Sequence, residues 1–128
     1  MGEEPTKAEY LLRLRLKVEQ HIETYVYQFP SGMIGNPWSD ARIKQGLEQF
    51  KRSLVEPYWE EVEIRDTFDQ VSMAVAPRRQ CAVVADDGEG MLLLFDPVEG
   101  SFVLAQREAH GLITFGVRGD AVGCFLAR

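Results

Sequence analysis

The sequence has few of the residues that build covalent or metal-bound scaffolds. Among its 128 residues are two cysteines and two histidines. Cys81 and Cys124 each lie in an apolar run, where a cysteine usually behaves as a small buried hydrophobe. His21 and His110 are too few for a multi-histidine metal site. The composition therefore predicts neither a disulfide scaffold nor a metal centre, and we expect no cofactor.

The sequence also lacks a long apolar run. No segment approaches the ~20 apolar residues that a membrane-spanning helix requires. The acidic and polar N-terminal residues do not show the basic-then-apolar order of a signal peptide. We therefore expect a cytoplasmic protein that makes no membrane contact. Its length, with 45% hydrophobic and 27% charged residues, is typical of one globular domain.

Lysine is absent from the second half of the chain. Residues 1–56 hold eight Lys/Arg and eight Asp/Glu, whereas residues 57–128 hold six Arg and twelve Asp/Glu. The net charge of −6 therefore belongs to the second half. Because an acidic surface repels the phosphates of nucleic acids, we expect no nucleic-acid binding. A basic protein is the partner that this charge favours.

The first half has the pattern of two helices. A capping box begins at Thr6, and apolar residues then recur at spacings of three and four. This spacing predicts a helix over residues 7–27. A second helix is predicted from a cap at Ser39 or Asp40 to the helix-breaking Pro57. The apolar stripe of the first helix comprises Leu11, Leu14, Val18, Ile22, Tyr25 and Phe29.

The second half has the pattern of a sheet. From Tyr58 to Asp69 apolar and acidic residues alternate at the two-residue period of a half-buried strand. The runs 81–85 and 91–95 are apolar without alternation, which predicts strands covered on both faces. Asp120 can cap a last short helix. The predicted strands cover residues 59–67, 70–76, 80–86, 91–96 and 101–107, with 112–117 as an optional sixth.

These patterns together predict a single α+β domain over residues 1–128. Two N-terminal helices in residues 1–56 pack on one face of an antiparallel meander sheet in residues 57–128. The sheet has five or six strands, and a short C-terminal helix follows it.

The leading candidate site combines an apolar loop with an acidic strand face. Residues 30–38 contain two prolines and two glycines, so they form a loop, yet this loop carries large apolar side chains. Exposed Trp and Met side chains are typical of interface cores. This surface predicts a non-catalytic interaction protein with a basic protein partner. Its residues are Met33, Ile34 and Trp38 in the loop and Glu61 and Glu63 in the first strand.

Two other hypotheses are consistent with the sequence. A small-molecule binder or an enzyme would have its pocket between the helices and the sheet, lined by aromatic residues and one or two carboxylates. The lining residues would be Tyr25, Tyr27, Trp59 and Phe68. No residue is assigned a catalytic role. A homodimer joined through an edge strand is compatible with either function.

One segment resembles a known family. Residues 82–96 read Ala-Val-Val-Ala-Asp-Asp-Gly-Glu-Gly-Met-Leu-Leu-Leu-Phe-Asp, which predicts a strand, an acidic glycine turn and a strand. This segment, with the closing Phe125 and Leu126, resembles the SUKH immunity-protein superfamily over less than half of the chain. The resemblance implies an acidic protein-binding module with an immunity or regulatory role.

Overall fold

The computed structural model describes residues 7–25 and 39–128. Within these ranges the chain forms four helices and five strands. The helices are α1 (Lys7–Thr24), α2 (Asp40–Ser53), α3 (Phe68–Val71) and α4 (Ala121–Leu126). The strands are β1 (Leu54–Glu63), β2 (Arg78–Asp86), β3 (Met91–Asp96), β4 (Ser101–Glu108) and β5 (Gly111–Gly119). None of the helices in these ranges is long and apolar enough to cross a membrane.

The strands form a meander that closes on itself. Each strand pairs antiparallel with the next one along the chain. β1 also pairs in parallel with β5, where Val62 is opposite Leu112 and Glu63 is opposite Ile113. The result is a closed barrel of five strands. The predicted α+β fold with an antiparallel meander is confirmed, and the parallel pair that closes it is an addition to the prediction.

The barrel is covered on both faces, as the apolar runs predicted. Every residue from Cys81 to Ala85 is at most 1% exposed. Strand side chains alternate between the inside of the barrel and the side beneath the helices, except at the register shift between Val83 and Ala85, where Val84 and Ala85 both lie beneath the helices. The inner cluster comprises Val62, Ile64, Cys81, Val83, Leu92, Leu94, Val103, Ala105 and Leu112. The outer strand residues are Ala82, Val84, Ala85, Leu93 and Leu104.

Three helices cover the outer face of the barrel. In α1 the predicted stripe is buried at Leu14, Val18 and Ile22, and the helix ends at Thr24 rather than at residue 27. In α2 the buried Phe50 stacks on Phe125 of α4. Two predicted caps are confirmed. Ser39 Oγ accepts a hydrogen bond from Arg42 N at 3.1 Å, and Asp120 Oδ1 accepts one from Gly123 N at 2.9 Å.

The predicted end of the second helix at Pro57 is wrong. α2 ends at Ser53, and β1 begins at the next residue. Pro57 is buried within β1, where the pairing with β2 shifts register between Leu54 and Tyr58. A proline has no backbone N–H to donate, so it is tolerated where the ladder is interrupted. The helical part therefore stops before residue 56.

The predicted strand over residues 70–76 is also wrong. Its first residues belong to α3, which a capping box begins: Thr67 Oγ1 accepts from Gln70 N, and Gln70 Oε1 accepts from Thr67 N. The strand predicted over residues 59–67 ends at Glu63. The optional sixth strand exists as β5, so the total remains five.

Candidate functional site

Only the strand residues of the leading site lie within the part of the chain that the structure describes. Met33, Ile34 and Trp38 lie outside the described residues. Glu61 and Glu63 both lie on β1, but their environments differ. The Glu61 side chain is 54% exposed, and that of Glu63 is 17% exposed.

Two arginines hold these carboxylates. Arg78 Nη1 lies 3.2 Å from Glu61 Oε1, and Arg78 Nη2 lies 3.8 Å from Glu63 Oε1. Arg65 Nε donates to Glu63 Oε2 at 3.0 Å. The hydrogen bond from Arg65 lowers the pKa of Glu63, and the positive charges of Arg65 and Arg78 act in the same direction. Glu63 is therefore a structural carboxylate, whereas Glu61 is paired with Arg78 at the surface and stays half exposed.

A surface groove separates this acidic strand from the turn between β4 and β5. Its volume is about 390 Å³. Three carboxylates and one guanidinium line it, so its net charge is negative and a cationic side chain can sit there. Within residues 7–25 and 39–128, no group of three or more His, Cys, Asp or Glu is placed to hold a metal ion. The groove is lined by Glu60, Glu61, Glu63, Arg78, His110, Gly111, Leu112 and Ile113.

The lowered pKa of Glu63 predicts a pH-dependent stability. The ordinary value is 4.5, and the folded value lies below it. The contribution of the ionised carboxylate is therefore complete above about pH 4.5 and is lost as the pH falls through the lower folded pKa. We expect Glu63→Gln to be less stable than wild type at pH 7, with the difference shrinking in acid. Urea unfolding of both proteins at several pH values measures this, and a difference that stays constant down to acid pH would contradict it.

A second group of charged and polar residues, here called the charge network, lies at one end of the barrel. Each strand, or the chain that follows it, contributes one residue. Asp96 is 0% exposed, and its Oδ2 lies 2.9 Å from Arg79 Nη1 and 3.0 Å from Arg118 Nη1. Its Oδ1 accepts from the backbone N–H of Val98 at 3.0 Å. The network comprises Asp66 after β1, Arg79 of β2, Asp96 of β3, Ser101 of β4 and Arg118 of β5.

The charge network also fixes the chain that follows β1. Arg118 Nε donates to Asp66 Oδ2 at 2.6 Å, and Gly116 N donates to Asp66 Oδ1 at 3.1 Å. Burial works against the positive charge of Arg118, but the carboxylates of Asp66 and Asp96 outweigh it, so the pKa of Arg118 is raised. Arg118 Nη2 is buried with no hydrogen-bond acceptor among the described residues. Since both carboxylates are paired with arginine, we assign this network to stability.

The cysteines are buried, as their apolar neighbours predicted. Both are free thiols. Burial raises the pKa of Cys81 to about 11 and that of Cys124 to about 11. A thiol with such a pKa is almost wholly protonated at neutral pH, so neither residue has the properties of a nucleophile.

The most unusual surface is the loop between β1 and β2, of which residues 70–76 were predicted to be a strand. Residues 67–76, here called the α3 loop, carry four large apolar side chains that face solvent. Phe68 is 88% exposed, Val71 61%, Met73 44% and Val75 84%. Scattered apolar residues are common on protein surfaces, but four exposed ones lie here within eight consecutive positions.

Hydrogen bonds hold the α3 loop in place. Arg65 Nη1 donates to the backbone oxygens of Gln70 at 2.8 Å, Val71 at 3.1 Å and Met73 at 2.9 Å. The ends of the loop meet where Ile64 N donates to Pro77 O at 2.8 Å. The same guanidinium binds Glu63, so the loop and the acidic groove share one anchor. The apolar side chains are therefore presented by an ordered backbone.

The aromatic residues predicted to line the alternative pocket have different environments. Trp59 is partly buried and stacks on Tyr10 of α1, with ring centroids 5.5 Å apart. Tyr25 is partly buried against the helix–sheet core. Phe68 is exposed on the α3 loop, and Tyr27 lies outside the described residues. The pocket stays a prediction.

Sequence reasoning missed both the α3 loop and the charge network. The signal for the loop was present, because Thr67 and Gln70 have the spacing of a capping box. The signal for the network was weaker. Asp96 follows the apolar run of β3 directly, but its partners Arg79 and Arg118 lie 17 and 22 residues away.

No family model, no curated protein and no solved structure gives a significant match to the chain. The resemblance of residues 82–96 to SUKH proteins therefore stays a prediction.

Proposed function

We propose that the protein is a non-catalytic interaction module that binds a basic protein partner through the surface around β1. The observation that carries the proposal is the shared anchor at Arg65, which joins an acidic groove to an exposed apolar loop. Interfaces combine an apolar core with a polar rim, and this surface has both parts side by side. The partner would contact Glu60 and Glu61 at the rim.

The charge of the chain supports a basic partner. The strand-rich half carries the whole net charge of −6. Its acidic field steers cationic proteins toward the surface and raises their association rate. The two buried free thiols are consistent with the expected cytoplasmic location. A homodimer is compatible with the proposal as long as β1 remains accessible.

The proposal predicts that reversing one charge on β1 weakens binding. A partner captured on the immobilised protein is purified, and its dissociation constant is measured by calorimetry. We expect Glu61→Lys to raise the dissociation constant by about tenfold, because a cationic partner then meets a like charge.

Glu48→Lys is the matched control. Glu48 on α2 is 53% exposed and lies 3.9 Å from Arg52, much as Glu61 is 54% exposed and lies 3.2 Å from Arg78. Both variants change the net charge equally. If both weaken binding to the same extent, only the overall charge matters and the β1 surface is not the site.

A further inference from the structure

We infer that the α3 loop is the apolar anchor of the interface and that it inserts into an apolar recess on a basic protein. The inference deepens the proposed function and rests on it. It assigns the anchor to residues 67–76 rather than to Met33, Ile34 and Trp38.

The fold leaves the large apolar side chains of the α3 loop exposed. Phe68 and Val75 are 88% and 84% exposed, so almost none of their apolar surface is used in the fold. Core packing explains Ala76, which is 3% exposed at the end of the loop. It does not explain the large side chains before it. When a partner covers an exposed aromatic side chain, apolar surface is removed from water, and this burial favours binding.

Hydrogen bonds order the backbone of the α3 loop. A loop that is already ordered loses less conformational entropy when it binds. Arg65 is 19% exposed, and its Nη1 donates to three carbonyl oxygens of the α3 loop. The Thr67–Gln70 capping box orders the first turn. Arg65 and the capping box both bind the backbone, so the apolar side chains remain exposed to solvent.

Charge identifies the kind of partner. Arg65 and Arg78 at the two ends of the loop are already paired with Glu63 and Glu61. Asp69 lies in the first turn of α3 and is exposed, and no cation of the described residues pairs with it. The unpaired charge beside the apolar side chains of the α3 loop, that of Asp69, is therefore negative. A basic rim around an apolar recess complements it, whereas a second copy would bring one Asp69 toward another.

A library of random dodecapeptides displayed on phage is the probe, selected on the immobilised full chain. We expect the enriched peptides to combine aromatic or aliphatic residues with Lys or Arg. Their dissociation constants should rise by about tenfold or more in Phe68→Ser, since loss of a central anchor costs over 1 kcal/mol. Leu12→Ser is the matched control, because Leu12 is 60% exposed on α1. It should leave binding unchanged.

Several results would overturn the inference. Peptides that are acidic, or that bind Phe68→Ser as well as wild type, would do so, and so would a library without enrichment. A concentration-dependent dimer that Phe68→Ser abolishes in sedimentation would show that a second copy occupies the loop. Peptides that lose affinity for Glu61→Lys but not for Phe68→Ser would leave the acidic groove as the binding surface and remove the α3 loop as its anchor.

Discussion

Replacing Asp96 with asparagine is expected to lower the free energy of unfolding by about 3–5 kcal/mol. The carboxylate is 0% exposed and faces the guanidinium groups of both Arg79 and Arg118. In the variant an amide N–H group or a neutral oxygen takes the place of Oδ2, so two partly buried cations lose a shared counter-charge. Urea denaturation at neutral pH measures the loss.

Asp86→Asn is the matched control for this prediction. Asp86 also ends a strand, also accepts a turn N–H, from Gly88 at 2.9 Å, and also faces an arginine. It differs in exposure, because its side chain is 33% exposed and lies 4.0 Å from Arg107. We expect this variant to lose less than about 1 kcal/mol. Equal losses in the two variants would show that burial of the charge network adds nothing to the free energy of unfolding.

Replacing Phe50 with alanine is expected to cost about 3–5 kcal/mol, the usual cost of removing a buried aromatic side chain. Phe50 is 0% exposed, and its ring lies 4.4 Å from that of Phe125 with an angle of 10° between the planes. These two rings join α2 to α4 over the outer face of the barrel. Alanine would leave a cavity between the helices and remove this stacking.

Phe68→Ala makes the same chemical change at an exposed site. Because Phe68 is 88% exposed, its truncation should alter the free energy of unfolding by no more than about 0.5 kcal/mol. Calorimetric or urea unfolding of both variants gives the comparison. A large loss in Phe68→Ala would show that this side chain supports the fold, and it would remove the main reason for treating the α3 loop as a binding surface.

The elements that were predicted correctly depend on neighbours in the sequence. The stripe of α1, the cap at Asp120 and the turn at Asp87 and Gly88 are each determined within a few residues. Gly88 has φ +76°, which a glycine adopts without strain, so the hairpin between β2 and β3 is already specified locally. The apolar composition of the runs 81–85 and 91–95 likewise predicted burial, which is complete over 81–85 and 92–94 and partial at Met91 and Phe95.

The errors arose where local patterns competed. Pro57 is a strong helix terminator, but the chain had already entered β1, and an irregularity in the ladder accommodates the proline. Residues 70–76 alternate like a strand, yet Arg65 occupies three carbonyl oxygens of this stretch. Carbonyls held by a guanidinium are not free to join a ladder, so a contact made across only five to eight residues overrides the alternation.

The sequence by itself determined the helical stripes, the caps, the glycine turns, the buried strands and the acidic second half, since each depends on residues that are close together in the chain. Tertiary structure alone decided the parallel pair of β1 and β5 and the charge network around Asp96. The physical reason is distance along the chain: Asp66 meets Arg118 across 52 residues, and only the closed barrel brings them together.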